Sequence, residues 1–341
     1  MDAEAPSSQT GLLSYAAAKG PDVVAVIVAH QSTSVLSQCL TAFARAAARV
    51  DARAIVVDSG STDDPAAICD RLGVPLLRVP NRGLGAAFNR ALEREEVRCA
   101  RYVLQLNPDV ELPAGGLDAL VAHADRRPHC GVLGPRQVDQ NGELIFSIGI
   151  EPSPAGCWRA ANPSEPPWAW SWDRERYRSE CDADWVMGAC LLLRGAMLAQ
   201  IGGFDEQFFL CSEEVDLCRR AREAGWSVGY VPNVTVVHPL AGRAPDPHRL
   251  RLEEWSWIVY LRKWQGWRAR CSIRLAIAVR LALLAALEVR HPRAQRSSRI
   301  RLGATLRFRR RGYGPAAPWP DRAPDHERSA FPPADTDATG L

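Results

Sequence analysis

Hydrophobic and polar positions alternate between two rhythms in the first third of the chain. Val23–Ala29 is an unbroken apolar run rich in Val and Ile, which predicts a strand covered on both faces. Helical spacing follows over 35–48. A second apolar run at 54–57 predicts a strand ending at Asp58, after which Thr62 or Asp63 can cap a helix running to about Leu72. Leu76–Val79 reads as a third strand, 85–95 as a helix, and Tyr102–Leu106 as a fourth strand that runs into Asn107-Pro108-Asp109. Repeated strand–helix units imply an α/β fold, Rossmann-like, with a mostly parallel sheet and helices on both faces. Such sheets bind ligands at the carboxyl ends of their strands, where Asp58 and Asp109 both stand.

The second half is less regular. Residues 151–180 carry Pro together with Trp158, Trp168, Trp170 and Trp172, and read as a long loop. A strand is expected over 185–194. A helix over 213–224 offers Val215, Leu217, Cys218 and Ala221 to a core, and short strands follow at 227–231 and 235–237. An aromatic-rich helix over 253–267 carries Trp255, Trp257, Tyr260, Trp264 and Trp267. The apolar stretch 273–289 is interrupted by Arg274, Arg280 and Glu288, short of the about 18 uninterrupted apolar residues of a spanning helix. It suits an amphipathic helix, lying on a surface or packed on its own domain. Both ends of the chain are rich in Pro, Ala, Ser and Asp. The expected organisation is a disordered tail over 1–20, a domain over 21–245, a helical, Arg-rich extension over 246–314 and a second disordered tail over 315–341.

Composition narrows the class. The net charge is +3, so the chain is no polycation, yet 290–311 holds nine arginines and no acidic residue. Such a block can meet an anionic membrane or an anionic acceptor. No nucleic-acid readout motif accompanies it, and nucleic acid is not expected as a partner. The ten cysteines are scattered singly, without CxxC pairs or zinc-type Cys/His spacing. With no basic-then-apolar start, this predicts a cytoplasmic protein, in contact with the inner face of the cell membrane if the arginines dock there.

Four segments carry candidate chemistry. Asp58, in Asp58-Ser59-Gly60-Ser61-Thr62-Asp63, can accept the N3–H of a pyrimidine or can simply close a turn; Asp63 suits a helix cap. Asn81-Arg82-Gly83-Leu84-Gly85 opens a helix, a place that favours anions, but lacks dinucleotide-fingerprint spacing. Asp109 can hold a divalent cation with diphosphate oxygens, or Asn107-Pro108-Asp109 can be a turn. Glu213-Glu214-Val215-Asp216 begins a helix, so adjacent carboxylates diverge by about 100° and can take different roles, or can merely favour the helix dipole. His238, taken alone, reads as structural.

In order and spacing these segments resemble family 2 glycosyltransferases of the GT-A fold, in the bacterial rhamnosyltransferase-like branch, from about Val23 to about Trp267. The strongest run is Gly202-Gly203-Phe204-Asp205-Glu206-Gln207-Phe208-Phe209, then Glu213-Glu214-Val215-Asp216-Leu217-Cys218-Arg219-Arg220, preceded by Val186-Met187-Gly188-Ala189-Cys190. The resemblance implies a metal-dependent, inverting hexosyl transfer from a nucleotide-sugar donor, dTDP-rhamnose or a UDP-sugar. The acceptor would be a lipid-linked or cell-surface glycan, as in cell wall biogenesis, or a small molecule. It implies that Asp58 reads the base, and that Asn81, Gly83, Asn89, Asn107, Gly188, Ala189 and Glu213 line the donor site. Asp109 with His238 would hold Mg²⁺ or Mn²⁺, and Glu214 would be the general base. Three positions depart from the family pattern: His30 and Ser59 stand where Asn is usual, and Glu214 where Asp is usual. The last leaves Glu213 and Asp216 open as the base. A catalytically degenerate binding protein is a rival reading. A sugar nucleotidyltransferase is another, although 23–34 lacks the Gly, Lys and Arg its phosphate loop would need.

Overall fold

A computed structural model of the chain describes residues 20–159, 171–239 and 247–287. The tails, the Arg-rich segment 290–311, and Trp168 and Trp170 lie outside the described residues. The centre is a nine-stranded sheet in the order β3-β2-β1-β4-β10-β5-β11-β8, with β6 paired on β5. Here β1 is Val23–Ala29, β2 Ala52–Ser59, β3 Leu76–Val79, β4 Tyr102–Leu106, β5 Cys130–Val138, β6 Leu144–Ile145, β7 Ile148–Gly149, β8 Cys181–Asp182, β9 Trp185–Val186, β10 Cys190–Arg194 and β11 Ser227–Val237. β3, β2, β1 and β4 run parallel, as do β5 and β11. β10 is antiparallel to both β4 and β5.

Helices cover both faces. α1 (Thr33–Ala46), α2 (Ala66–Leu72) and α5 (Gly116–Arg126) pack on one side through Leu36, Leu40, Phe43, Cys69, Leu117 and Leu120. α3 (Leu84–Leu92), α7 (Gly195–Ile201) and α8 (Glu213–Glu223) cover the other through Phe88, Met197, Val215 and Leu217. α9 (Pro247–Trp264) and α10 (Trp267–Leu287) join that second core through Tyr260, Leu261, Ile273 and Ala276. The described part of the expected C-terminal extension, 247–287, therefore shares an apolar core with the sheet. The short α4 (Glu95–Arg98) and α6 (Pro154–Arg159) complete the helices used here.

Several elements differ from the sequence expectation, each for a local reason. The helix after Asp58 starts at Ala66, and Asp64 accepts the Ala66 N–H at 3.1 Å. Asp63 serves the other helix: its Oδ2 accepts both the backbone N–H and the hydroxyl of Thr33 at 2.8 Å, satisfying an open donor at the start of α1. The strand expected over 185–194 is two strands, because Met187 leaves β9 to donate its N–H to Ser147 and the chain re-enters the sheet at Cys190. The pair expected at 227–231 and 235–237 is one strand, β11, whose register shifts between Val231 and Thr235, where Pro232 has no N–H to give. The loop expected over 151–180 contains α6 and a short 3₁₀ helix, Arg174–Arg178, built around buried Tyr177.

Candidate active site

The carboxyl ends of β1, β2 and β4 form one edge of the sheet, since all three run parallel in register. Because β10 is reversed, its first residue, Cys190, pairs with Leu106 at the end of β4. The turn Met187-Gly188-Ala189 therefore arrives at that same edge. Ala189 accepts the Asn107 N–H at 2.9 Å, which fixes the start of the Asn107-Pro108-Asp109 loop.

On β2, Asp58 is 5% exposed and one of its oxygens accepts the Ser61 N–H at 2.9 Å. His30, at the end of β1, donates from Nδ1 to the Ser59 carbonyl at 2.9 Å. Asn81 supports the same loop, accepting from the Ser59 hydroxyl at 3.4 Å and from the Gly83 N–H at 3.3 Å. Gly83 has φ near +100°, and a side chain there would meet the Phe209 backbone, so its loop lies directly on the segment that leads to α8. Asn89, expected among the donor-binding residues, donates from its amide to the Phe204 carbonyl and to Glu206, and its oxygen accepts the Phe204 N–H. It locks the Gly202-Gly203-Phe204 turn onto α3. A depression of about 230 Å³ beside Asn81, lined by Val79, Arg82, Arg90 and Glu206 among others, includes none of Asp58, Asp109 and Glu214. Asp58 and Asp109 lie at the strand ends instead, and Glu214 at the start of α8.

Asp109 and His238 lie 129 positions apart and are brought together by a small ladder. Glu111 and Val237 exchange two backbone hydrogen bonds at 2.9 and 3.0 Å, which sets the Asp109 loop against the end of β11. His238 Nε2 then sits 3.4 Å from Asp109 Oδ2, and both side chains are 11% exposed. That distance is longer than a good N–H···O bond. An imidazole nitrogen and a carboxylate oxygen that converge without bonding each other suit a shared divalent cation. Among the described residues no group of three or more His, Cys, Asp and Glu could hold a metal by itself. The pair fits a cation whose other ligands are substrate phosphate oxygens and water, the usual habit of Mg²⁺.

The glutamate pair opens α8 behind two consecutive left-handed residues, Cys211 at φ 69° and Ser212 at φ 67°. Such strain in non-glycine residues gathers where function needs an unusual turn. Glu213 is 6% exposed, and burial followed by the charge of Glu214 holds its carboxyl well above the ordinary range. Glu214 is half-buried as a residue, yet its Oε2 is enclosed and without a partner. Burial pushes its pKa up to about 7, against backbone N–H bonds that include Gly188 and with a smaller push from Glu253 on α9. A Cβ on Gly188 would lie 3.4 Å from the Glu214 side chain, so the turn of β10 and the head of α8 touch. Asp216, left open as a base, is fully buried and bound by Arg220 at 2.8 Å, Lys263 at 2.7 Å and Trp264 Nε1 at 2.8 Å. Its oxygens accept from these three cationic and indole donors.

The residue pattern thus gathers Asp58, Asn81, Asn107, Asp109, Gly188, Ala189, Glu213, Glu214 and His238 about one sheet edge. Sequence reasoning did not single out Glu253 or Ser256; nothing but their place on an aromatic-rich helix marked them.

The model for glycosyl transferase family 2 matches residues 24–182. The N-acetylglucosaminyl-diphospho-decaprenol L-rhamnosyltransferase of Mycobacterium tuberculosis is 34% identical over 264 residues, spanning 71% of this chain and 86% of that protein. This chain belongs to glycosyl transferase family 2. The glycosyltransferase also shares its fold with the mannosyltransferase PcManGT of Pyrobaculum calidifontis, solved with GDP-Man and Mn²⁺, at TM-score 0.51 and 17% identity over 84% of this chain and 87% of that one. GalNAc-T7, solved with UDP, GalNAc and Mn²⁺, matches at TM-score 0.50 and 14% identity over 69% of this chain and 48% of that one. The fold of this glycosyltransferase is GT-A, as the ordered motifs implied.

Proposed function

We propose that this glycosyltransferase moves L-rhamnose from dTDP-rhamnose to a hydroxyl of a polyprenyl-diphosphate-linked sugar, with inversion at the anomeric carbon. The donor lies across the ends of β1, β2 and β4. Asp58, with one oxygen fixed by Ser61, accepts the N3–H of the pyrimidine with the other. Asn81, Gly83 and Asn107 shape the loops around the nucleotide, and Gly188 and Ala189 bring the backbone of the β10 turn against it. Glu214 takes the proton of the acceptor hydroxyl as that oxygen attacks the anomeric carbon. The bond to the diphosphate breaks as the new one forms, and the diphosphate leaves with the electron pair. A Mg²⁺ or Mn²⁺ ion at Asp109 and His238 would supply positive charge to the diphosphate oxygens. Burial, followed by the charge of Glu214, raises the Glu213 pKa well above the ordinary carboxylate range.

The observation that carries this reading is the contact of Glu214 with Gly188. It joins a carboxylate raised to about 7, suited to proton transfer near neutral pH, to the turn that holds the Asn107 loop. The choice of sugar and acceptor is supported by the mycobacterial relative, which is named for rhamnosyl transfer to a decaprenyl-diphosphate-linked sugar. Such an acceptor puts the reaction at a membrane surface, with the donor drawn from the cytoplasm. Among the described residues no helix is long and apolar enough to cross a membrane.

The test is a panel of nucleotide sugars with the full-length protein, Mn²⁺ and a lipid-linked N-acetylglucosamine acceptor. Transfer from dTDP-rhamnose is expected to dominate. Preferred turnover of a UDP- or GDP-sugar would overturn the donor. Absence of turnover with every donor would return the degenerate-binder reading.

A further inference from the structure

We propose that the outward face of α10 is a docking surface for an anionic lipid bilayer, made by Trp267, Cys271 and Leu275 with arginines on its flanks. α10 has two apolar sides, and the domain uses one. Ile273, Ala276 and Leu281 are buried, and Trp158 of α6 donates from its indole nitrogen to Ser272 at 2.8 Å, which fixes the rotation of the helix. On the other side Trp267 is 64% exposed, Leu275 55% and Leu283 42%, with Cys271 and Ala282 exposed between them. At about 100° per residue Trp267, Cys271, Ala282 and Leu275 share an arc of about 80°, and Leu283 stands about 80° beyond it, past Arg268. Arg268 lies on one flank and Arg270 and Arg274 on the other. Arg268 leans toward the Trp267 ring, 5.5 Å from its centroid.

Charge selects the occupant. Positions 255–287 contain no Asp or Glu, and the chain runs on into 290–311, with nine arginines and again no acid. A second copy of the chain would bring like charges face to face. An anionic bilayer takes both halves of the pattern: the indole and Leu275 enter the boundary of the acyl chains, while guanidinium groups reach lipid phosphates. The disposition also answers the choice left by the sequence, since α10 both packs on its own domain and turns an unsheltered apolar face outward. The proposal deepens the membrane-surface reading above, and its test contains neither donor nor acceptor. A failure of docking therefore leaves the transfer reading intact, and a failure of transfer leaves docking intact.

The experiment is co-sedimentation of the full chain with phosphatidylcholine vesicles, with and without phosphatidylglycerol. Tight binding is expected with phosphatidylglycerol alone. The pair Trp267→Ser with Leu275→Ser, both on the exposed face, is expected to weaken that binding by about tenfold or more, at unchanged melting temperature and unchanged charge. A wild-type protein that ignores anionic vesicles overturns the proposal. So does a double variant that binds as well as wild type, which would assign membrane contact to the arginine block alone. A wild-type dimer that the same substitutions dissociate, without vesicle binding, overturns it in favour of a second copy.

Discussion

The hydroxyl of Ser256 on α9 donates to the backbone carbonyl of Leu210 at 2.8 Å. Leu210 is the last residue before the left-handed pair Cys211 and Ser212, which turns the chain into Glu213-Glu214. Downstream of the glutamates, Asp216 is held by Lys263 and Trp264 of the same helix. α9 thus grips the chain on both sides of the candidate base, and Ser256 acts as a positioning residue. Ser256→Ala is expected to lower kcat by about tenfold with little change in donor KM, because a small misplacement of a reacting group is costly. Water should reach Glu214 more easily, moving the acid limb of the rate profile to lower pH. An unchanged kcat and an unchanged limb, at a melting temperature near wild type, would show the contact to be structural only.

Glu214→Gln separates the base from its neighbours. Loss of a well-placed general base is expected to cost about 10²–10⁴-fold in kcat while nucleotide binding survives. Asp216→Asn should behave differently, since Asp216 is fully buried between Arg220 and Lys263. Breaking such a cluster is expected to cost about 3–5 kcal/mol of stability, read as a lowered melting temperature. Near-normal turnover in Glu214→Gln would transfer the role to Glu213.

Burial gives Glu214 two pH signatures. As a base it works when deprotonated, so the rate is expected to rise with pH and level off above about 7. Stability runs the other way. The folded pKa lies above the unfolded one, so the native state binds the extra proton between about 4.5 and 7, and stability falls as pH rises through that window. Glu214→Gln removes the penalty and should raise the melting temperature above neutrality and little in acid. An equal gain at low and high pH would argue against the assignment.

How much of this was legible in the chain depended on burial and on distance along it. β1, β3 and β4 match their expected limits, β1 as a continuous apolar run and the other two as apolar runs interrupted once, by Arg78 and by Gln105. β5 escaped notice although it sits between β10 and β11. Gly131, Gly134 and Pro135 break its pattern, and a Cβ on Gly134 would lie 2.9 Å from Val186, so close approach of β9 demands the glycine. α5 begins at Gly116 behind Gly115, without a Ser, Thr or Asp cap to announce it. In the site, Asp58 and the glutamate pair could be found from local motifs. The Asp109–His238 pairing came only from the family resemblance, since no local motif shows it and it depends on the Glu111–Val237 ladder between remote segments. Asn89 shows the reverse case: a motif position whose side chain bonds a turn 115 residues away.

Removing either side chain of the Asp109–His238 pair tests whether the two act together on a cation. Each stands 11% exposed and 3.4 Å from the other, in a setting that offers no third His, Cys, Asp or Glu ligand among the described residues. A cation there would depend on the donor's phosphates, so metal and nucleotide should bind with mutual help. In wild type, Mn²⁺ is expected to tighten dTDP binding by at least about tenfold, measured by calorimetry with and without chelator. Asp109→Ala should abolish that enhancement while leaving metal-free dTDP affinity near wild type. His238→Ala should reduce the enhancement by less, because the remaining carboxylate still attracts the ion. If dTDP bound equally with and without Mn²⁺ in the wild-type protein, the convergence of Asp109 and His238 would be a structural contact between a loop and a strand end, and transfer would proceed by charge from the protein alone.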